Sequence, residues 1–231
     1  MMEKRAYRAA PRGGPTERDQ YMHSTYRARS QAEVREQYDT WAETYDADVE
    51  SLGRTGPATV LALAARHIAP DQGPVLDAGA GTGIMGDFLS TIGFEAIEAL
   101  DLSKEMLAIA RRKGVYSRLH EAALGPRMDL PSNSYGGVVA VGVLTCGHAG
   151  PDCLEELIRI TRPGGSIVFT VTEPVYADFE PVMSKLERAG AWECVETTPR
   201  FDLHPLKADS VRANAFVYRV RAMSDRRPAH A

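Results

Sequence analysis

The segment Val75-Leu76-Asp77-Ala78-Gly79-Ala80-Gly81-Thr82-Gly83 carries a short apolar run into an acid and then into three glycines at alternate positions. An apolar helical pattern follows from Ile84 to Ile92, so the unit is a strand over Pro74 to Leu76, a glycine loop and a helix. Glycine tolerates positive φ and has no Cβ, which lets the backbone turn tightly and touch a ligand. The helix beginning near Ile84 aims free N–H groups at the same spot. A nucleotide-like cofactor suits such a cradle. Gly81-Thr82-Gly83-Ile84-Met85-Gly86 formally satisfies the G-x-G-x-x-G pattern of dinucleotide folds. In those folds the first glycine makes the turn at the strand end, where this chain has Asp77 and Gly79, so the match begins too late. A carboxylate at Asp77 sits badly beside a pyrophosphate and suits a cationic ligand group.

Outward from this unit, strands and helices alternate. Strand Phe94 to Leu100 leads to Asp101, helix Ser103 to Arg112 follows, and a weak strand spans Tyr116 to Glu121. Strand Gly137 to Val143 precedes a helix from Asp152 to Thr161, opened by Pro151 and stopped at Arg162-Pro163-Gly164-Gly165. Strand Ser166 to Thr172, helix Phe179 to Ala189, and strands Trp192 to Thr197 and Asn214 to Val220 complete the series. Such alternation implies an α/β fold with a mostly parallel sheet covered on both faces. The last two strands have no helix between them, so the final one is expected to enter antiparallel. Ligands of these sheets sit outside the carboxyl ends of the strands, beside the first strand, where the glycines lie. A carboxylate at Asp101, on the tip of the next strand, can accept two hydrogen bonds from vicinal ribose hydroxyls. Ser103, with Glu105 in the first turn, is placed to cap the following helix.

Before the glycine unit, Val34, Tyr38, Trp41 and Tyr45 recur at helical spacing among acids and arginines, an amphipathic helix. Gly53, Gly56 and Pro57 break it and offer hinge-like freedom, and a second helix runs from Val60 to His67. The aromatic stripe reads equally as core packing or as the wall of a ligand chamber.

At 231 residues the chain holds one sizeable core. Its 44% hydrophobic and 25% charged residues exclude collagen, coiled coil and wholesale disorder. No apolar run approaches the ~18 to 20 residues needed to span a bilayer, and the first residues lack the apolar core of a secretory signal, so a cytoplasmic protein without a membrane partner is expected. Cys146, Cys153 and Cys194 are odd in number and lack metal-site spacing, which reads as three reduced thiols and no metal site. Residues 1–30 carry seven Lys/Arg against three acids, and residues 219–231 four against one, so the middle of a chain of net charge −4 is acidic. That distribution disfavours a nucleic-acid substrate laid across the body. The expected division is a flexible basic tail over 1–30, one domain over 31–222 and a flexible tail over 223–231.

Val75-Leu76-Asp77-Ala78-Gly79-Ala80-Gly81-Thr82-Gly83, the acid Asp101, and Leu157-Ile158-Arg159-Ile160-Thr161-Arg162-Pro163-Gly164-Gly165 before a strand resemble the class I S-adenosylmethionine-dependent methyltransferases. Tyr38-Asp39-Thr40-Trp41-Ala42-Glu43-Thr44-Tyr45-Asp46 is similar to the N-terminal segment of the Williams-Beuren region methyltransferase-like group and its bacterial relatives. The resemblance spans residues 31–221. It implies a doubly wound seven-stranded sheet of order 3-2-1-4-5-7-6, helices on both faces, an N-terminal helical lid, and S-adenosyl-L-methionine as cofactor. It places Asp77 and the loop Gly79, Ala80, Gly81 and Gly83 at the methionine part, Asp101 at the ribose, and Leu102 and Met106 against the adenine. Glu121 and Ala122 stand where the family commonly has an acid for the adenine amine, Glu121 being displaced from that position. Val141 and Trp41 complete the expected cofactor contacts.

The cofactor's sulfonium already activates its methyl group, so the protein need only align an acceptor and remove a proton where one must leave. His148, in Gly142-Val143-Leu144-Thr145-Cys146-Gly147-His148, is the candidate base, and Tyr45 a candidate wall of the methyl chamber. The same loop lacks an Asn/Asp-Pro-Pro-aromatic tetrad and a Pro-Cys pair, which disfavours amide and cytosine C5 methylation. Glu173 and Tyr176 could face the acceptor, and Arg200 to Arg212 is expected to form a further wall. The leading expectation is transfer to a small-molecule oxygen, nitrogen or sulfur nucleophile. A protein or RNA methyltransferase, a non-catalytic cofactor-binding subunit and a nicotinamide dehydrogenase remain open.

Overall fold

A computed structural model describes residues 30–207 and 209–222; the tails expected at 1–30 and 223–231 lie outside this range except for Ser30. The chain opens with helix α1 (Gln31–Ser51), whose N-cap Ser30 accepts the Glu33 N–H, and α2 (Thr55–His67). Strand β1 (Val75–Ala78), α3 (Ile84–Thr91), β2 (Ile97–Asp101), α4 (Lys104–Lys113) and β3 (Arg118–Glu121) form the first half. The second half is β4 (Tyr135–Leu144), α5 (Cys153–Ile160), β5 (Thr161–Thr172), α6 (Tyr176–Arg188), β6 (Trp192–Thr197), β7 (Phe201–Asp202) and β8 (Arg212–Val220). The sheet order is β3-β2-β1-β4-β5-β8-β6. Strands β1 to β5 pair in parallel, and β8 runs antiparallel to β5 and β6. Seven strands were expected and eight are present among the described residues, because the 200–212 stretch contributes the two-residue β7 that pairs with β8. The expected order is kept once that hairpin strand is set aside.

Two apolar layers follow from strand alternation. Val138, Ala140, Ile167, Phe169, Phe216 and Tyr218 face the layer of α5 and α6, which contribute Leu154, Leu157, Phe179 and Met183. Their neighbours Val139, Val168, Ala215 and Val217 face the layer of α2 and α3, built on Val60, Leu63, Met85 and Leu89. Every residue of β1 is buried, so Asp77 emerges from the centre of the sheet with 1% of its surface exposed.

Among the boundaries that differ from the sequence expectation, three have a plain physical reading. Helix α2 starts at Thr55, with Pro57 in its first turn where a missing N–H costs nothing. Helix α6 starts at Tyr176 and carries Pro181 inside, because burial of Phe179, Met183 and Leu186 on one face outweighs the hydrogen bond that Pro181 cannot donate. Strand β5 reaches back to Thr161, which pairs with Tyr135 before a register shift. Among the described residues no helix is long and apolar enough to cross a membrane.

Candidate active site

Two cavity lobes meet above the carboxyl ends of β1, β2 and β4, sharing Tyr38, Tyr45, Gly79, Gly81, Val141, Gly142 and His148. The first lobe is bounded by Asp101, Leu102, Met106, Ala122, Leu124 and Val34. The second is bounded by Asp77, Ala80, Met85, Trp41, Thr145, Arg54, Leu203 and His204. The glycine loop thus forms the ridge between them.

In the first lobe the Asp101 carboxylate is tied from behind. Its Oδ2 accepts the Gly81 N–H at 2.8 Å and its Oδ1 the Ser103 N–H at 2.8 Å, while burial raises its pKa. Ser103 Oγ accepts the Met106 N–H at 3.1 Å, the expected cap, which orients α4 and presents Met106 to the slot. Leu102, Met106, Ala122 and Leu124 make that slot apolar, suited to a purine face. Gly81 lies at φ +54, and a Cβ built there would meet nothing within 4 Å, so its missing side chain leaves open space on the ligand side. A vicinal diol at Asp101 and a flat heterocycle beyond it fit this donor set.

In the second lobe Asp77 Oδ2 accepts the Tyr116 hydroxyl at 2.6 Å. Burial pushes the Asp77 pKa up to about 7, against the lowering effect of that hydrogen bond. Tyr116 also accepts the Gly86 N–H at 3.1 Å, and a Cβ on Gly86 would stand 2.3 Å from the phenol. The glycine that completes the formal dinucleotide pattern therefore exists to admit Tyr116, which occupies the N–H that a pyrophosphate would need. Gly83, at φ +88, likewise packs on Tyr116 and Ala110 and does not border the cavity. Gly83 thus stands at the N-cap of α3, behind the residues that line the lobes.

Helix α1 lies across both lobes, with Tyr38, Trp41 and Tyr45 facing in. Trp41 and Tyr45 meet edge to face at 4.8 Å, and Tyr38 stacks near Trp41 at 6.2 Å. Trp41 Nε1 donates to Asp48 at 2.8 Å, fixing the indole. Polar clasps hold the helix down: Ser103 Oγ donates to Asp39, the Thr82 hydroxyl donates to Asp46, and Arg35 Nε donates to the Leu102 carbonyl at 3.0 Å.

His148 borders both lobes. Its Nδ1 lies 2.8 Å from the Cys146 carbonyl, which can only accept, so in the neutral ring the proton sits on Nδ1. Nε2 is then a lone pair, and it accepts the Tyr38 hydroxyl at 2.9 Å. Burial lowers the His148 pKa, which keeps the ring neutral at pH 7.

Several expected residues are placed elsewhere. Glu121 sits at the end of β3 with its carboxylate 3.0 Å from Arg35, outside the cavity lining, because the last strand residue turns its side chain to the α1 surface. Ala122, Ala123 and Leu124 line the wall there in its stead. Glu173 pairs with Arg200, and Tyr176 stacks on Phe216 at 6.1 Å, so neither reaches the cavity. Gly53 and Gly56 are not loose: His204 Nδ1 lies 3.1 Å from the Gly53 carbonyl, and Gly56 packs against Leu203 and Val141. The 200–212 wall is present through Leu203 and His204. Tyr116, Arg54 and His204 had no local motif to announce them.

Residues 76–169 match the family described as Methyltransferase domain. The chain is 31% identical over 170 residues to Methyltransferase-like protein 27 of Homo sapiens, covering 70% of this chain and 69% of that protein. The chain belongs to the class I S-adenosylmethionine-dependent methyltransferases, and S-adenosylmethionine is its cofactor. It is also 36% identical over 162 residues to a malonyl-acyl-carrier protein O-methyltransferase of Pectobacterium atrosepticum, covering 69% of this chain but 57% of that protein. The crystal structure of the cyclase SpnF superimposes with a TM-score of 0.63 at 14% identity, covering 84% of this chain and 98% of that one, a likeness of fold alone.

Asp101→Ala is expected to weaken S-adenosylhomocysteine binding by about 1.5 to 3 kcal/mol for each ribose bond lost. The carboxylate also holds the Gly81 and Ser103 amides. A melting curve run beside the calorimetry therefore separates lost ligand bonds from a loosened loop, and unchanged affinity in a folded variant would move the ribose elsewhere.

Proposed function

We propose that the chain transfers the methyl group of S-adenosylmethionine to a small-molecule oxygen, nitrogen or sulfur nucleophile in the second lobe, with His148 as general base. Asp101, Leu102, Met106 and Ala122 would hold the adenosine end, and Asp77 with Gly79, Ala80 and Gly81 the methionine end. Val141 and Trp41 would flank the sulfur, and Tyr45 would wall the methyl chamber. When bound, the cofactor supplies an electrophilic methyl group.

The observation that carries this reading is His148 at the junction of the two lobes, anchored through Nδ1 on the Cys146 carbonyl with Nε2 at 2.9 Å from the Tyr38 hydroxyl. An acceptor that takes the place of the Tyr38 hydroxyl at Nε2 can lose its proton there as the new bond to carbon forms and the bond from carbon to sulfur breaks. The lid helix and the Leu203-His204 loop roof the lobe, which favours a compact acceptor over a polymer. The free thiols Cys146, Cys153 and Cys194 suit a reducing cytoplasm.

Methyl-labelled cofactor incubated with fractionated metabolites, total protein and total RNA tests the acceptor class. Label in a small molecule supports the reading, and label in protein or RNA alone overturns it. With the labelled acceptor in hand, His148→Ala should cut turnover by about 10² to 10⁴ with cofactor affinity within twofold. A variant that turns over at the wild-type rate would remove His148 as the base.

A further inference from the structure

We propose that Tyr116 is the positioning residue for Asp77: its hydroxyl fixes the carboxylate that receives the ammonium of the cofactor's methionine part, without itself reaching the cofactor. The inference rests on the cofactor placement proposed above and adds a residue behind it.

Several features of the fold converge on this phenol. Helix α4 ends at Gly114, left-handed at φ +71, and Ser117 then donates its N–H and its hydroxyl to the Ile97 carbonyl, at 2.8 and 2.9 Å. Between these two anchors the Tyr116 ring packs against Ala80, Ala99 and Leu107. A Cβ at Gly86 would collide with the phenol, and one at Gly83 would stand 2.8 Å from its ring, so both positions leave room for it. The hydroxyl donates to Asp77 Oδ2 at 2.6 Å and accepts the Gly86 N–H at 3.1 Å, which fixes the direction of its proton. Tyr116 borders neither lobe, so it acts on a ligand only through Asp77.

A second phenol-carboxylate pair shows what is unusual here. Tyr135 donates to Glu98 at 2.7 Å, but that carboxylate also has His120 at 2.9 Å and Arg118 at 4.0 Å. Asp77 has no such basic partner among the described residues. Lys113 of α4 faces it from the side, already paired with Asp87 at 2.9 Å and Asp46 at 3.3 Å, and Asp101 at the tip of β2 adds a like charge. Arg54, His148 and His204 border the same lobe and form their contacts elsewhere. A lysine in the place of Tyr116 would neutralise Asp77 and leave no charge for an ammonium. With no donor at all, burial would favour the protonated acid, which holds an ammonium poorly. A phenol avoids both outcomes, because burial and then the Asp77 charge raise its own pKa and keep the proton on the oxygen.

The test is the pH dependence of S-adenosylhomocysteine affinity, measured by calorimetry on the full chain from pH 6 to 9. In the wild type, affinity should rise with pH and level off past about 7, where Asp77 is ionised. Tyr116→Phe removes one oxygen and keeps the ring, and the rise should move up by about one to two pH units. Affinity at pH 7 then falls about five- to fiftyfold, and at pH 9 the gap narrows to about twofold. In an Asp77→Asn background the same change should alter affinity by less than about twofold, since no carboxylate is left to hold. A Tyr116→Phe protein, folded by circular dichroism, that loses the same factor at pH 7 and pH 9 overturns the proposal. So does an equal loss in the Asp77→Asn background, which would route the hydroxyl's effect through the Gly86 amide. A wild type whose affinity is flat with pH and matched by Asp77→Asn overturns the cofactor placement as well, an outcome distinct from a rise that is present and fails to move.

Discussion

Asp77→Asn is expected to raise the melting temperature of the cofactor-free protein at pH 8 and to weaken S-adenosylhomocysteine binding by about 100-fold or more. The carboxyl group is 1% exposed, and burial lifts its pKa from 3.8 to about 7 despite the Tyr116 hydroxyl bound to it. The folded state therefore binds a proton that the unfolded chain releases near pH 4, and stability at this group falls as pH rises from about 4 to 7. Above pH 7 the whole penalty is present, on the order of 4 kcal/mol for a shift of this size. Asparagine is neutral throughout, so the gain should be small at pH 4.5, about 1 kcal/mol, and full at pH 8. In the cofactor placement proposed above, the ammonium of the ligand would supply the missing counter-charge in the wild type, and leaving it buried opposite an amide would cost about 3 to 5 kcal/mol. Melting curves of both proteins at the two pH values, with calorimetry at pH 8, check the pair of effects. A variant less stable than wild type at pH 8 would mean that the fold already stabilises the ionised acid.

Asp77 and Asp101 were legible in the sequence because strand tips and glycine spacing are local signals. Asp101 ends its apolar strand and Asp77 stands one residue before the end of its own, and the register of Asp77 with Ala99 and of Asp101 with Glu121 places both on the same edge of the sheet. Arg54, Tyr116 and His204 were not legible, since each meets the site through a contact made far along the chain. Arg54 and His204 come together only because residues 203–206 bond back to 52–55, 151 positions apart for Gly53 and His204. Tyr116 precedes β3 in what reads as an ordinary weak strand, and its partner is 39 positions away. Glu121 misled for the opposite reason, because sequence places it at the correct strand end while pairing with Arg35 decides which way its side chain turns. The aromatic stripe of α1 showed a helix face without saying what lay beneath it.

What lies beneath is the basis for expecting that deletion of residues 1–51 leaves the sheet folded and destroys the site. The apolar side chains of α1 form a cluster of their own, with Trp41, Val49 and Leu52 at its centre, and join neither of the two layers that pack the sheet. Its other ties are polar, among them Asp39 to Ser103, Asp46 to Thr82 and Lys113, Arg35 to the Leu102 carbonyl and Glu121, Tyr38 to His148, and Glu43 to Arg112, the last an exposed pair worth little. Both sheet layers should therefore survive its loss, with the far-ultraviolet dichroism of the sheet and α2 to α6 retained. The cavity would lose Val34, Tyr38, Trp41 and Tyr45 from its walls, and with them the exclusion of water from the methyl chamber. S-adenosylhomocysteine affinity should drop at least about tenfold on the loss of that apolar cover, roughly 1.4 kcal/mol or more. Methyl transfer should fall by about 100-fold beyond that, since the Trp41 and Tyr45 walls that would align the acceptor go with the helix. The truncated protein is checked by dichroism, by calorimetry with S-adenosylhomocysteine, and by label transfer to the acceptor found in the metabolite screen. Full affinity and full turnover after the deletion would make α1 a packing element laid over a site that is complete without it.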